Sequence, residues 1–292
     1  MLEFVKLGTQ YLHLAGTQRG ATHLEGLIGT PVARGDAYNR PEQDGGIQPF
    51  KAYMPMRLIT IEGVVTTGGT IDAVWTDWQL IAAQFEAALT GDVVLSWKHT
   101  NASVTLQQNV RLADQSQPVL DANAQGAFLR YQVALRAADP RWESTVSTQT
   151  STGAPSATGG FPIPIAFPIP FGAGATGGSV VITNPGTTIS WPTITVQGPA
   201  NGPQITCSTQ GKFLSFDSLT LGAGDVLTVD MHPTSRSATV NGNNVLRSLR
   251  WLDSSFWGLR AGVAETVAFT ALGGGTSGAS LMTVNYRPAY LG

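Results

Sequence analysis

The stretch Gly224–Asn244 reads GDVLTVDMHPTSRSATVNGNN. Val226–Met231 and Ser237–Val240 are short runs rich in β-branched residues, and the Asn241-Gly242 pair after them is the strongest two-residue hairpin signal. The same rhythm extends in both directions. Val180–Thr183, Thr188–Val196, Ile205–Ser208 and Phe213–Phe216 come before it, divided by Asn184-Pro185-Gly186, Gly198-Pro199 and Gly222-Ala223-Gly224-Asp225. Leu246–Gly258 follows with Trp251 and Trp257, then strand candidates Val263–Phe269 and Ser280–Tyr286. Short strands at this spacing predict a β-sandwich over residues 179–282.

The first half carries a different signal. Arg57–Val65 alternates, with Ile59, Ile61 and Val65 on one face. Ala127–Ala137 sets Leu129, Tyr131, Val133 and Leu135 on one side, and Arg130, Gln132 and Arg136 on the other. Val93–Trp97 and Val104–Leu112 are further strand candidates. Among them lies one helix. Thr76-Asp77-Trp78-Gln79 fits a capping box, Trp78, Ile81, Ala82, Phe85 and Leu89 form an apolar stripe, and Gly91 is the expected left-handed stop. Residues 1–143 thus read as a β-rich domain with one covering helix, and residues 283–292 are placed to complete it.

Between the halves the composition shifts. From Ser144 to Gly211 there is no Asp, Glu, Lys or Arg. Residues 144–178 have the Ser, Thr, Gly and Pro content of a linker. Inside it, FPIPIAFPIPFG (Phe161–Gly172) is too apolar for water, and its prolines bar it from the middle of a sheet. It reads as an extended strap along a domain or a neighbouring subunit.

The 292 residues suit about two domains. Seventeen Lys and Arg against 19 Asp and Glu leave a net charge of −2, without the basic excess that nucleic-acid binding uses. Charged residues make up 12% of the chain, about half the usual ~25%. Charge normally keeps a free surface soluble, so copies of the chain or other partners are expected to cover much of it. Cys207 stands alone, which excludes an intrachain disulfide and a cysteine-based metal site, and it reads as a small buried apolar residue. Met1–Lys6 lacks the basic start and apolar run of a signal peptide, and no apolar stretch is long enough to span a bilayer. The chain reads as soluble and made in a cytoplasm.

No reactive constellation emerges. His13, His23, His99 and His232 have no ligand spacing, and neither a G-x-S-x-G elbow nor a phosphate loop is present. Glycoside hydrolysis needs two facing carboxylates about 5–10 Å apart. Glu42 and Asp44 lie in a Pro/Gly-rich loop, while Asp217, Asp225, Asp230 and Asp253 are scattered over the second half; Asp225 and Asp230 lack calcium-loop spacing. Trp191, Trp251 and Trp257 are either a sugar-stacking platform or core filling. Arg236, Arg247, Arg250 and Arg260, countered by Asp230, Asp253 and Glu265, read as ion pairs. No catalytic, cofactor-binding or metal-ligating residue is predicted.

The order of motifs is nevertheless distinctive. NPGTTISWPTITVQGPANGPQIT (Asn184–Thr206), the opening stretch Gly224–Asn244, SSFWGLRAG (Ser254–Gly262) and VAFTA (Val267–Ala271) resemble the C-terminal domain of siphophage distal tail proteins, especially minor tail proteins of phages infecting actinobacteria. The F-P-x-P strap and ADPRW (Ala138–Trp142) are similar to the same group. The chain departs from it at Arg260-Ala261-Gly262, where a proline is usual before the glycine, and at Val263-Ala264, where an asparagine is common.

The resemblance implies a mainly β fold: a tail-tube-like β-sandwich or barrel with one helix, then a galectin-like β-sandwich. It implies a non-enzymatic virion protein, a homohexameric distal tail ring that joins the tail tube to the tail-tip hub or baseplate. Its partners would be its own copies, the tube and hub proteins, and tail fibres or receptor-binding proteins. DNA would pass its lumen without specific binding, and no cofactor or membrane is involved. Assembly would occur in the host cytoplasm. The rival readings are a carbohydrate-binding module for host cell-wall glycans, a glycosidase, and a plain tail-tube subunit without the second sandwich.

Overall fold

The computed structural model describes residues 2–29, 38–39, 46–47, 54–115, 118–123, 126–154, 178–273, 276 and 279–291. It divides into two compact units, Met1–Val146 with Tyr290–Gly292, and Ser147–Ala289. The strap Phe161–Gly172 and the Glu42 and Asp44 pair lie outside the described residues.

The first unit is built from β1 (Leu2–Leu7), β2 (Gln10–Leu14), β3 (Arg19–Glu25), β4 (Arg57–Val65), α1 (Ile71–Thr90), β5 (Val93–His99), β6 (Leu106–Gln115), β7 (Val119–Asn123), β8 (Gly126–Ala137) and β9 (Trp142–Ser144). Its antiparallel sheet runs β2-β1-β5-β6-β8-β4-β3, with β7 added on β8 and β9 on β6. It does not close into a barrel. The alternation predicted for β4 and β8 holds. Ile59, Ile61 and Val65 pack inward with Leu129, Tyr131, Val133 and Leu135, and Arg130, Gln132 and Arg136 face out.

Helix α1 lies over the inner face, where Trp78 and Phe85 pack on Tyr131 with ring centroids 5.4 and 5.9 Å away. It begins before the predicted box. Thr70 is the N-cap and its hydroxyl accepts from the Ala73 amide at 3.3 Å, whereas the Thr76 hydroxyl sits inside the helix and donates to the Asp72 carbonyl. The buried stripe is Val74, Trp78, Ile81, Phe85 and Ala88; Leu89 is 66% exposed. Gly91 ends the helix in extended backbone, φ −153°, instead of the left-handed turn expected.

The second unit contains β10 (Thr148–Gly153), β11 (Ser179–Thr183), β12 (Thr193–Gln197), β13 (Pro203–Cys207), β14 (Lys212–Ser215), β15 (Val226–Asp230), β16 (Ser237–Val240), β17 (Ala264–Ala271) and β18 (Leu281–Tyr286). One antiparallel sheet runs β10-β18-β12-β15-β16 and ends on Asn243–Asn244; the other runs β11-β17-β13-β14. Ile194, Leu227 and Met282 from the first sheet share a core with Ile205, Leu214 and Phe269 from the second. Asn241 and Gly242 form the two-residue tip between β16 and Asn243–Asn244, with φ of 50° and 85°. Positive φ at both positions is what that turn demands, and Asn and Gly tolerate it best.

Three sequence readings are corrected here. Residues 144–154, read as linker, include the end of β9 and all of β10, whose alternating Thr and Ser hydroxyls suit the edge strand they form along β18. The strand read over Thr188–Val196 starts only at Thr193, because residues 188–190 make isolated bridges, Thr188 to Ala289 and Ser190 to Leu259. Of residues 283–292, only Tyr290–Gly292 belong to the first unit, since Thr283–Tyr286 pair within β18. On either side of residues 155–177, the Gly178 amide donates to the Gly153 carbonyl at 2.7 Å.

Candidate functional site

Two of the motifs that carried the resemblance, Asn184–Thr206 and Ser254–Gly262, meet in the second unit. Asn184 is fully buried. Its side-chain amide donates to the carbonyls of Thr188 and Leu259 at 2.8 and 3.1 Å, and its Oδ1 accepts from Gly186 at 2.9 Å. The Asn184 carbonyl accepts from Gly262, so Asn184-Pro185-Gly186 and the Trp257–Gly262 turn are welded together. Gly258 packs against the neighbouring residues 189–191, where a Cβ would lie 2.3 Å from Ile189 Cγ2 and 3.0 Å from the Ser190 carbonyl oxygen. These residues fix the shape of a junction. They expose no reactive group.

Beside them is the one fully buried carboxylate among the described residues, Glu265. It accepts from Arg260 Nε at 2.7 Å, Gln210 Nε2 at 2.5 Å and the Cys207 thiol at 3.5 Å. Burial by itself would raise the Glu265 carboxyl, but the Arg260 and Gln210 hydrogen bonds outweigh it and hold the group below its ordinary value. Cys207 is buried as read, and desolvation pushes its thiol up to about 11, so it stays protonated and inert near neutral pH.

The first unit has a cavity of about 510 Å³ lined by Gln10, Tyr11, Gln18, Arg19, Thr67 and Asp77. Arg19 donates to both Asp77 oxygens, through Nε at 2.8 Å and through Nη2, while its Nη1 donates to Gln10 Oε1 and the Tyr11 carbonyl at 3.1 and 3.0 Å. Thr67 adds a hydroxyl to Asp77 at 2.7 Å. Burial raises the Asp77 carboxyl, the Arg19 and Thr67 hydrogen bonds lower it more, and the outcome is a depressed pKa. The cluster ties β3 to α1, with the carboxylate held as an ion-pair anchor; nothing in it pairs a nucleophile with a base.

The remaining candidates separate. Asp217 and Asp253 both pair with Arg250, at 3.1 and 3.3 Å. Asp225 bonds Gly222 and Asn241, and Asp230 bonds His232 and Ser235. Arg236 lies over Phe256, 5.2 Å from its centroid, and Arg247 sits in a short 3-10 turn, Leu246–Ser248. His13 accepts from Ala21 and His99 from Asn101, His232 contacts Thr234, and His23 is on the exposed part of β3. Trp257 is buried in the core, Trp191 is half-buried against it, and Trp251 is 59% exposed on a separate turn, so the three do not make a platform. Among the described residues no group of His, Cys, Asp and Glu is arranged to hold a metal.

One side chain that sequence reading passed over organises the first unit. Arg57, 3% exposed, donates to four carbonyls: Pro140 at 2.9 Å, Gly26 at 2.8 Å, Gly29 at 2.9 Å and Leu291 at 2.5 Å. Its guanidinium also lies over the Trp142 ring, 5.6 Å from the centroid. The only hint in the sequence is an arginine at an inward position of β4.

Among the described residues of this two-unit, mainly β chain, the polar clusters tie strands, turns and helix to one another. Residues 185–290 match the family model of the siphovirus-type tail component, C-terminal domain. The whole fold matches the crystal structure of SPP1 Dit (gp 19.1), described as a paradigm of the hub adsorption apparatus in phages infecting Gram-positive bacteria. The TM-score is 0.66 at 13% identity, covering 99% of both chains. It also matches chains of the phage P2 baseplate in its activated conformation, with Ca at TM-score 0.54, 10% identity and 98% of both chains, and with Sr at 0.52, 9% and 97% of both. No curated protein sequence matches. The family model covers a part of the second unit, and over the whole chain the likeness is one of fold.

Proposed function

We propose that this chain forms a homohexameric distal tail ring that joins the tail tube to the tail-tip hub or baseplate, with no enzymatic activity. The observation that carries this is the end-to-end likeness of fold to SPP1 Dit, over 99% of each chain. The sparse charge supports it, because 12% charged residues leave wide neutral surfaces for neighbouring copies to cover. The first unit makes the ring, in head-to-tail contacts that close after six steps. The second carries fibres or receptor-binding proteins. DNA crosses the lumen without specific contacts, as befits a net charge of −2.

Native mass spectrometry and negative-stain microscopy of the concentrated protein test the reading. Six-fold annuli are the expected result. A chain that stays monomeric at every concentration, alone and with its tube and hub neighbours, overturns it.

A further inference from the structure

Strand β11 (Ser179–Thr183) is the outermost strand of its sheet, paired on one side with β17 and on the other with no described strand. The register fixes which of its groups are left over. The Gly178 carbonyl accepts from Phe269 at 2.6 Å, and in an antiparallel ladder successive residues turn their amide and carbonyl to opposite sides. Val180 and Ile182 therefore face β17, while Ser179, Val181 and Thr183 direct theirs away from it. Among the described residues this outward set has one partner, the Tyr286 hydroxyl, which donates to the Thr183 carbonyl at 2.9 Å. Edge strands are usually guarded by charge, proline or a bulge. β11 reads SVVIT with an unbroken register and has none of these, and its Val181 is 63% exposed.

The sequence just before it has the matching pattern. Residues 161–171 lie outside the described residues and read FPIPIAFPIPF, with every proline, at 162, 164, 168 and 170, on an even position. Proline has no amide to donate. Alternate residues of an extended chain share one edge and one face. As a strand, this stretch therefore has all its Phe and Ile amides on one edge and all its Phe and Ile side chains on one face. The opposite edge has an amide at Ala166 alone. Such a strand can pair on one side and offers almost no donor to a further one.

We infer that residues 167–171 add to the open edge of β11 in the same chain, antiparallel, with Phe167 opposite Thr183, Ile169 opposite Val181 and Phe171 opposite Ser179. All three pairs set amide-bearing residues against the outward groups of β11. Pro168 and Pro170 turn to the far edge, and Ile169 covers Val181 on the shared face. The tether selects this occupant. Residues 172–178, GAGATGG, join it to β11 through seven uncharged residues, four of them glycine. Gly178 has a φ of 79°, the left-handed backbone that suits a chain reversal. Upstream, the thirteen residues 154–166 reach ~43 Å when extended, against ~17 Å for the five residues of β11, so the chain can leave β10 at Gly153 and return along β11. A short flexible tether holds its strand at an effective concentration on the order of millimolar, which a dilute partner does not match. The pairing holds whether or not the chain forms a ring.

Cross-linking and hydrogen exchange test this in the full chain. Ile169→Cys combined with Val181→Cys puts two Cα atoms about 5.5 Å apart, within disulfide reach. Mild oxidation should link them inside one chain, read as a joined peptide pair from the monomer band, while the buried Cys207 stays silent. Ile169→Cys combined with Ser151→Cys, on the edge strand β10, should not link. The Val181 amide should exchange slowly in the parent. In Ile169→Pro, which removes the amide facing the Val181 carbonyl, it should exchange at least about tenfold faster, as for a lost backbone hydrogen bond, and Pro168→Ala should leave it unchanged. Links between chains place the segment on a neighbouring copy and overturn the assignment, as does preferential linking to position 151. Failure of the Ile169→Cys and Val181→Cys pair to link, or fast exchange of the Val181 amide in the parent, overturns it as well.

Discussion

Replacing Arg57 by alanine removes the donor for four backbone carbonyls at once. Hydrogen bonds to charged groups contribute about 1.5–3 kcal/mol each, and contributions from one shared side chain do not add. Gly29 is exposed and Leu291 half-buried, so water can take over there, whereas Pro140 is buried and Gly26 borders the sheet. Counting two bonds as fully lost gives about 4 kcal/mol. For a unit of this size about 2–4 °C accompanies each kcal/mol, so its melting transition should fall by on the order of 10 °C. Arg57→Lys keeps the charge but not the planar fork, and should lose about half as much. Calorimetry follows the transition, and hydrogen exchange by peptide follows the partners. Protection should drop near residues 26–29 and 289–292 together and stay unchanged in β12–β18 of the second unit. A transition lowered by less than about 3 °C, or a C-terminus equally protected in Arg57→Ala, would refute the claim that this guanidinium holds those segments.

Three further outcomes are expected. Thr70→Ala should cost about 1 kcal/mol by removing the helix cap, and Thr76→Ala should cost less, since that hydroxyl only bonds back into the helix; urea titration of the two variants decides between the two candidate starts. Asp77 and Glu265 both have folded pKa values below their ordinary 3.8 and 4.5. Their contribution is therefore complete above those values and lost as pH falls through the lower folded ones. Both units should lose stability on acidification below about pH 4, and Glu265→Gln should flatten the acid dependence of the second unit alone when melting is followed from pH 7 to pH 2.5. With its thiol raised to about 11, Cys207 should resist a thiol reagent at pH 8 in the native protein and react at once in denaturant; rapid native labelling would contradict its burial.

The strands were legible because burial on one face imposes strict alternation. Ile59-Thr60-Ile61 and Tyr131-Gln132-Val133 state in the sequence which side meets the core. The Asn241-Gly242 tip was equally plain, since its backbone requires residues that tolerate positive φ. The helix start was not. Thr76-Asp77-Trp78-Gln79 satisfies the capping-box pattern, yet Asp77 is committed to Arg19, a partner 58 residues away that no local rule contains. The Leu89 and Ala88 exchange has a similar origin. Leucine is the more apolar residue, but the helix phase turns alanine to the sheet. Residues 144–154 misled through composition: Thr and Ser look like linker, but a sheet edge with one wet face accepts them. Arg57 escaped notice because its four acceptors are backbone carbonyls, which leave no mark in a sequence. The ion pairs of Asp217 and Asp253 with Arg250, and of Glu265 with Arg260, were legible only as a clustering of arginines with carboxylates near the end of the chain.

The Gly153–Gly178 hydrogen bond has a practical meaning. The backbone leaves β10 and re-enters just before β11 at a single point, with both strands already seated in their own sheets. The two ends of any insert between those glycines are already held together, and the loop-closure penalty grows only with the logarithm of its length. A fluorescent protein or an affinity module grafted there would enter and leave the sandwich at one point, so the second unit should keep its own melting behaviour.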